Sequence, residues 1–292
     1  MRASTGLARI LAIAILGAAL WFPARAQAAE SFDGCTGYID ALPATISAPG
    51  TWCLRKDLHS AASDWYGILV DADDAILDCK GFQVDGRQAD NVLTEGVFMY
   101  GNLPHDRVTV RNCTVRGYSD GIWVIGNEGV VADNRVIEAG RNGIAISGDN
   151  GSIRRNRVTR TGGGPDGEAR GIQAYGSVDI LDNDVVGFAM DPGQRYIEGI
   201  VSGGFGSVVQ GNRVRLANAS DPAPGMSVSG ILLIDPDAVT VRDNLVVGTG
   251  DAVGIACLYG PDGAGVITRD NLLAGVAQAL TCTDGGGNAA SP

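Results

Sequence analysis

Hydrophobic and polar residues alternate along most of this chain, but only in runs of three to five. One phrase recurs. Val239-Thr-Val-Arg-Asp-Asn244-Leu-Val-Val is followed by Gly254-Ile255. Val178-Asp-Ile-Leu-Asp-Asn183-Asp-Val-Val is followed by Gly199-Ile200, and Ser207-Val-Val-Gln-Gly-Asn212-Arg-Val-Arg by Gly230-Ile231. Period-two alternation over so few residues predicts short half-buried strands. Each copy therefore reads as strand, Asn corner, strand, loop, then Gly-Ile opening a third strand. The corner Asn residues at 134, 156, 183, 212, 244 and 271 are 22, 27, 29, 32 and 27 apart. The Gly-Ile pairs at Gly121, Gly143, Gly171, Gly199, Gly230 and Gly254 are 22, 28, 28, 31 and 24 apart. A period in the twenties whose extra length falls in loops is the mark of a solenoid.

The repeat predicts an all-β coil of stacked parallel strands over residues 67–282, about eight rungs long. Ile68 and Gly96-Val97 open the first two. Residues 27–66 lack the phrase and are expected to cap the exposed first rung, with Trp52, Leu54, Leu58 and Trp65 as apolar contacts. Residues 283–292 are expected to be a disordered tail. The Asn column is expected to be structural, because stacked identical amides satisfy one another at a corner and Asn tolerates a left-handed backbone. In the second rung the ladder position falls on Cys113, within reach of Cys79. Glycine, at 43 residues, and the Val/Ile content suit many short strands joined by tight corners.

Asp78-Cys79-Lys-Gly-Phe-Gln-Val-Asp-Gly86, followed by Val108-Thr-Val-Arg-Asn-Cys113-Thr-Val-Arg-Gly-Tyr-Ser-Asp-Gly-Ile122, resembles the opening of bacterial right-handed parallel β-helix repeat proteins. These form the broad pectate-lyase-like group, which includes NosD-like periplasmic proteins. The resemblance covers roughly residues 33–282. It implies a single-stranded right-handed parallel β-helix, and it leaves activity open, because the group includes lyases, hydrolases, epimerases, adhesins and proteins with no assigned role.

The first 26 residues read as a signal peptide: Arg2 and Arg9, an apolar core from Ile10 to Phe22, and a small-x-small site near Ala26. The expected location is the periplasm or outside the cell, with no membrane span after cleavage. Loss of the three arginines of that segment takes the formal charge from −11 to −14. An acidic chain lacks the basic field that nucleic acid requires. Six cysteines in an oxidising compartment suggest disulfides. Proximity pairs them as Cys35 with Cys53, Cys79 with Cys113 and Cys257 with Cys282.

Candidate chemistry clusters in three long loops, 161–170, 187–198 and 217–229. Insertions at one corner of stacked rungs raise a wall on one face, usually the binding face. Catalytic candidates there are Arg195, Glu198, Asp191 and Tyr196, with Arg neutralising a carboxylate and Glu or Tyr moving a proton. Asp166, Glu168 and Arg170 are expected to bind substrate, as are Arg155 and Arg157 from an arginine cluster. Pro104-His105-Asp106 is similar to part of the Asp-Pro-His-Asp signature of alginate epimerases and makes His105 an alternative base. No cofactor is called for; Asp71, Asp73 and Asp74 are the acids a Ca²⁺ ion would use, but no Ca²⁺-loop spacing is present. The expected partner is a polysaccharide, met either by a lyase, hydrolase or epimerase of acidic glycans or by a non-catalytic scaffold. Oligomeric state is left open.

Overall fold

The computed structural model describes residues 34–61, 64–86, 93–99, 104–164, 167–189, 194–216, 226–248, 250–258 and 265–291. Among them there is no helix. The strands form three parallel sheets of ten strands each, and every rung contributes one strand to each sheet. In chain order a rung runs through sheet 3 (Asp120–Ile125), sheet 1 (Val130–Ala132) and sheet 2 (Arg135–Ile137), then returns to sheet 3 (Asn142–Ser147).

Identical positions stack in register. Ile122 pairs with Ile144, Ile144 with Ile172, Ile172 with Ile200, Ile200 with Ile231 and Ile231 with Ile255. All six are fully buried, and the inward Val and Ile of the other two sheets complete one continuous core. The glycine before each of these isoleucines is required by close approach. A side chain at Gly143, Gly171, Gly199 or Gly230 would collide with the inward valine of the neighbouring sheet 2 strand and with the next rung's glycine carbonyl. Near the N-terminal end the interior is filled by Tyr118, 1% exposed, whose hydroxyl meets Ser60 Oγ at 2.6 Å.

The corner between sheets 1 and 2 carries the Asn ladder. The backbone N–H and Nδ2 of Asn156 both donate to Asn183 Oδ1, at 2.9 and 3.0 Å, and Asn183 treats Asn212 the same way. Each Nδ2 also donates to a main-chain carbonyl, as Asn183 does to Ile153 at 2.9 Å. Cys113 occupies the top of the ladder, its N–H donating to Asn134 Oδ1. The left-handed residue of the corner is not the Asn itself, however. It is the residue before: Asp133, Arg155, Asp182, Gly211, Asp243 and Asp270 all have φ between 53° and 69°. That residue turns its side chain to solvent, so the Asn can keep an ordinary backbone and point inward.

The coil runs further at both ends than the repeat predicts. Strands Gly37–Ile39, Ala44–Ile46, Gly50–Leu54 and Leu58–His59, in the segment read as a cap, pair in register with the sheets. They escape notice because they lack both the ladder Asn and the Gly-Ile pair. The segment read as a disordered tail supplies Ala289–Ser291 to sheet 2, and Asn288 extends the ladder by one step from Asn271. Disulfides join Cys35 to Cys53, Cys79 to Cys113 and Cys257 to Cys282. Each ties a rung to the next in one of the first or last turns of the coil.

Candidate functional site

Sheet 3 is where the rungs differ. Its strands lengthen along the coil, from Asn142–Ser147 to Glu168–Tyr175, Tyr196–Phe205 and Ser227–Asp237. The long loops of the sequence thus become, in part, extra strand. The position before each conserved-in-register glycine forms a column: Tyr66, Glu95, Asp120, Asn142, Arg170, Glu198, Ser229 and Val253. Unlike the ladder, no two neighbours in it are the same. Three residues further along each strand lies a second outward column, which runs Phe98, Trp123, Ala145, Gln173, Val201.

Between Trp123 and Gln173 the small Ala145 leaves a hollow of about 310 Å³. One wall is Arg141, Asn142, Glu168 and Arg170; the other is Ser147 and Tyr175. Tyr175 is 38% exposed and lays its ring against Gly203 in the next rung, where a Cβ would strike the ring at 2.8 Å. The Arg141 guanidinium lies over the Trp123 ring, 5.8 Å from its centroid, within cation–π range.

The polar wall is tightly wired. Arg141 pairs with Asp120 through both Nε and Nη2. Asn142 Nδ2 donates to Asp120 Oδ1 at 2.6 Å. Because the amide nitrogen must face that carboxylate, Oδ1 of Asn142 faces away, and it has no partner although the residue is 6% exposed. Arg170 donates from Nε to Glu198 at 2.6 Å and from Nη1 to Glu168 at 2.7 Å. Two carboxylates therefore converge on one guanidinium, Glu198 buried and Glu168 facing the hollow. Burial and the adjacent Asp120 charge push the Glu95 carboxyl up to about 9, against the opposing pull of Arg141. Burial and the neighbouring carboxylate thus favour the neutral form of Glu95, which is hydrogen-bonded to Asp120.

The structure separates the residues named from sequence. Glu168 and Arg170 line the hollow, and Glu198 stands behind Arg170. Tyr196 aligns with Glu168 at the start of the next strand and is 41% exposed. Arg195 donates its backbone N–H to Gly167 O. Asp166 and Asp191 lie outside the described residues. Arg155 and Arg157 are elsewhere: Arg155 holds Asp133 at the ladder corner, and Arg157 holds Asp184 on sheet 2. Both are surface charges paired across rungs. His105 sits at the corner between sheets 3 and 1, its two ring nitrogens 3.1 Å from Asp71 and Asp73. Asp74 is clamped by Arg107. Among the described residues no three His, Cys, Asp or Glu side chains are grouped to hold a metal ion.

Arg141 is a member of the arginine cluster seen in the sequence, whereas Trp123, Asn142, Asp120 and Glu95 were not singled out. For Asp120 and Asn142 the signal was present, since the residue before the Gly-Ile glycine varies from copy to copy.

A model of the right-handed beta helix region matches residues 95–289. The chain belongs to the right-handed β-helix family. Its fold is similar to that of the Dettilon tailspike protein, at 16% identity over 86% of this chain and 59% of that one, TM-score 0.52. It is also similar to the enzymatically active domain of bacteriophage CBA120 tailspike protein 2, at 12% identity over 88% and 47%, TM-score 0.54. A third is a tailspike double mutant of E. coli bacteriophage HK620, at 11% identity over 88% and 60%, TM-score 0.51. The chain spans about half to three-fifths of the length of these proteins, and the likeness is one of fold. No curated protein matches the sequence.

Proposed function

We propose that this is an exported polysaccharide-binding β-helix protein whose binding site is the hollow over Ala145. The observation that carries the reading is the composition of that hollow. Aromatic rings at both sides (Trp123, Tyr175) offer apolar faces to a sugar ring. Planar amides (Asn142, Gln173) offer in-plane hydrogen bonds, and Asn142 Oδ1 is an acceptor with no partner in the fold. Export rests on the apolar leader and on three disulfides, which persist in oxidising compartments.

The charge balance points to a neutral glycan. Arg141 and Arg170 are outnumbered by Asp120, Glu168 and Glu198, so negative charge is in excess around the hollow. An acidic polysaccharide would find its guanidinia already taken. A second reading, glycoside hydrolysis, is favoured by the convergence of Glu168 and Glu198 on Arg170, which brings a pair of carboxylates to one wall. Gel retardation on neutral and acidic polysaccharides tests the binding. Retention that Ala145→Leu abolishes is the expected result, and equal retention by that variant would overturn the site. Release of reducing ends that stops in Glu168→Gln, with retention intact, would establish the hydrolase.

A further inference from the structure

Sheet 3 carries a second feature that the hollow does not use. Going back along the coil from Ala145, the outer face becomes aromatic for three rungs. Trp123 meets Phe98 edge to face, with centroids 6.1 Å apart and ring planes at 62°. Phe98 meets Trp65 at 5.6 Å and 69°, and Trp65 meets Tyr66 at 4.8 Å and 78°. The strip begins beside the hollow, with Arg141 over Trp123, and ends on Trp65. Trp123 is half-buried, Phe98 is 8% exposed and Trp65 at the far end is 41% exposed. A core aromatic would be buried, and an isolated surface one would not be fixed edge-on by two neighbours. Here Phe98 and Tyr66 hold the indole in place while leaving much of it open to solvent. Rungs stack at about 4.8 Å, so along the coil axis the rung of Trp65 lies about 14 Å from that of Ala145. That exceeds one sugar ring.

We propose that Trp65 is an outer subsite of the same groove, on which a further ring of a neutral oligosaccharide stacks when its leading ring occupies the hollow. This rests on the glycan reading above. It adds that the ligand is a chain running along the coil axis, over Trp123 and Phe98, and that Trp65 selects for length. The apolar face of a pyranose on an indole gains from area burial and C–H contacts with the ring, without needing charge. The acidic surface of the chain does not oppose it.

The test uses the full chain and any polysaccharide that retards it, cut to defined lengths from two to eight sugars, with affinity measured by calorimetry. In the parent protein affinity should rise with length until the chain reaches Trp65, then level off. Trp65→Ala should remove that rise, weakening the longer oligosaccharides about five- to tenfold while leaving the disaccharide unchanged. Trp65→Phe should restore most of it, which a mere folding defect would not allow. Equal length dependence in the parent and Trp65→Ala, with disaccharide binding still abolished by Ala145→Leu, would overturn the outer subsite and leave the hollow standing. Absence of retardation by every polysaccharide would overturn both.

Discussion

The ladder corner and the outer face of sheet 3 are built on the same rungs at the same spacing, yet they are organised oppositely. At the corner one residue recurs: Asn134, Asn156, Asn183, Asn212, Asn244 and Asn271 are all buried, and each passes two hydrogen bonds to the next. On sheet 3 the corresponding column changes at every step, through Glu95, Asp120, Asn142, Arg170, Glu198 and Ser229. Repetition satisfies the backbone and neighbouring amides with one solution used many times. Variation makes each rung's chemistry specific, and leaves groups such as Asn142 Oδ1 unpaired. The repeated corner carries one uniform amide network, whereas the varied column carries ion pairs that differ from rung to rung.

Four substitutions bear on that contrast. The largest effect is expected at Arg170→Ala, which strands the buried Glu198 carboxylate; losing one partner of such a pair costs about 3–5 kcal/mol. Urea unfolding should show it, and an unchanged midpoint would mean that Glu198 is not held as described. Asn183→Leu should cost about 3 kcal/mol, because Asn156 loses the acceptor of two bonds and Ile153 O loses its donor. A loss below about 1 kcal/mol would remove the ladder from the account of stability.

Glu95→Gln tests the variable column by pH. The parent's carboxyl titrates near 9 in the fold against about 4.5 unfolded, so the folded state holds an extra proton between those values. Stability should fall as pH rises from about 4.5 to about 9, and the falling slope should flatten in Glu95→Gln, leaving it the more stable protein at pH 8. Parallel Tm-against-pH curves would contradict the protonated state. Smallest of all is Arg155→Ala. Its ion pair with Asp133 is about half exposed on each side, and solvent screening leaves such a pair little effect on stability. A large loss there would mean that the arginine cluster does more than decorate the surface.

The architecture was legible because it repeats. Asn and Gly-Ile at intervals in the twenties mark corners and closest approaches, and the structure shows why: an amide handed from rung to rung, and a glycine with no room for Cβ. The end turns were not legible, because residues 37–59 make their strands without either marker and Asn288 follows Asn271 by only 17 residues. For the site, loop length led to Glu168, Arg170 and Glu198, while the arginine cluster gave weight to Arg155 and Arg157, whose partners Asp133 and Asp184 are visible only once rungs are stacked. Trp123 and Ala145 could not be read as a wall and a floor from sequence. Their meaning comes from being neighbours 22 residues apart, on the outward side of one sheet.

The most direct test of the central claim is to fill the hollow and ask whether recognition goes with it. Ala145→Leu adds an apolar side chain on the outer face of sheet 3 and leaves every ion pair of the wall in place. Retardation on a polysaccharide panel should be seen for the parent and lost for this variant, with no loss in Tm. Equal retardation of the two proteins, or none for the parent on any polymer, would contradict the claim that the break in the repeat at this rung is a glycan site.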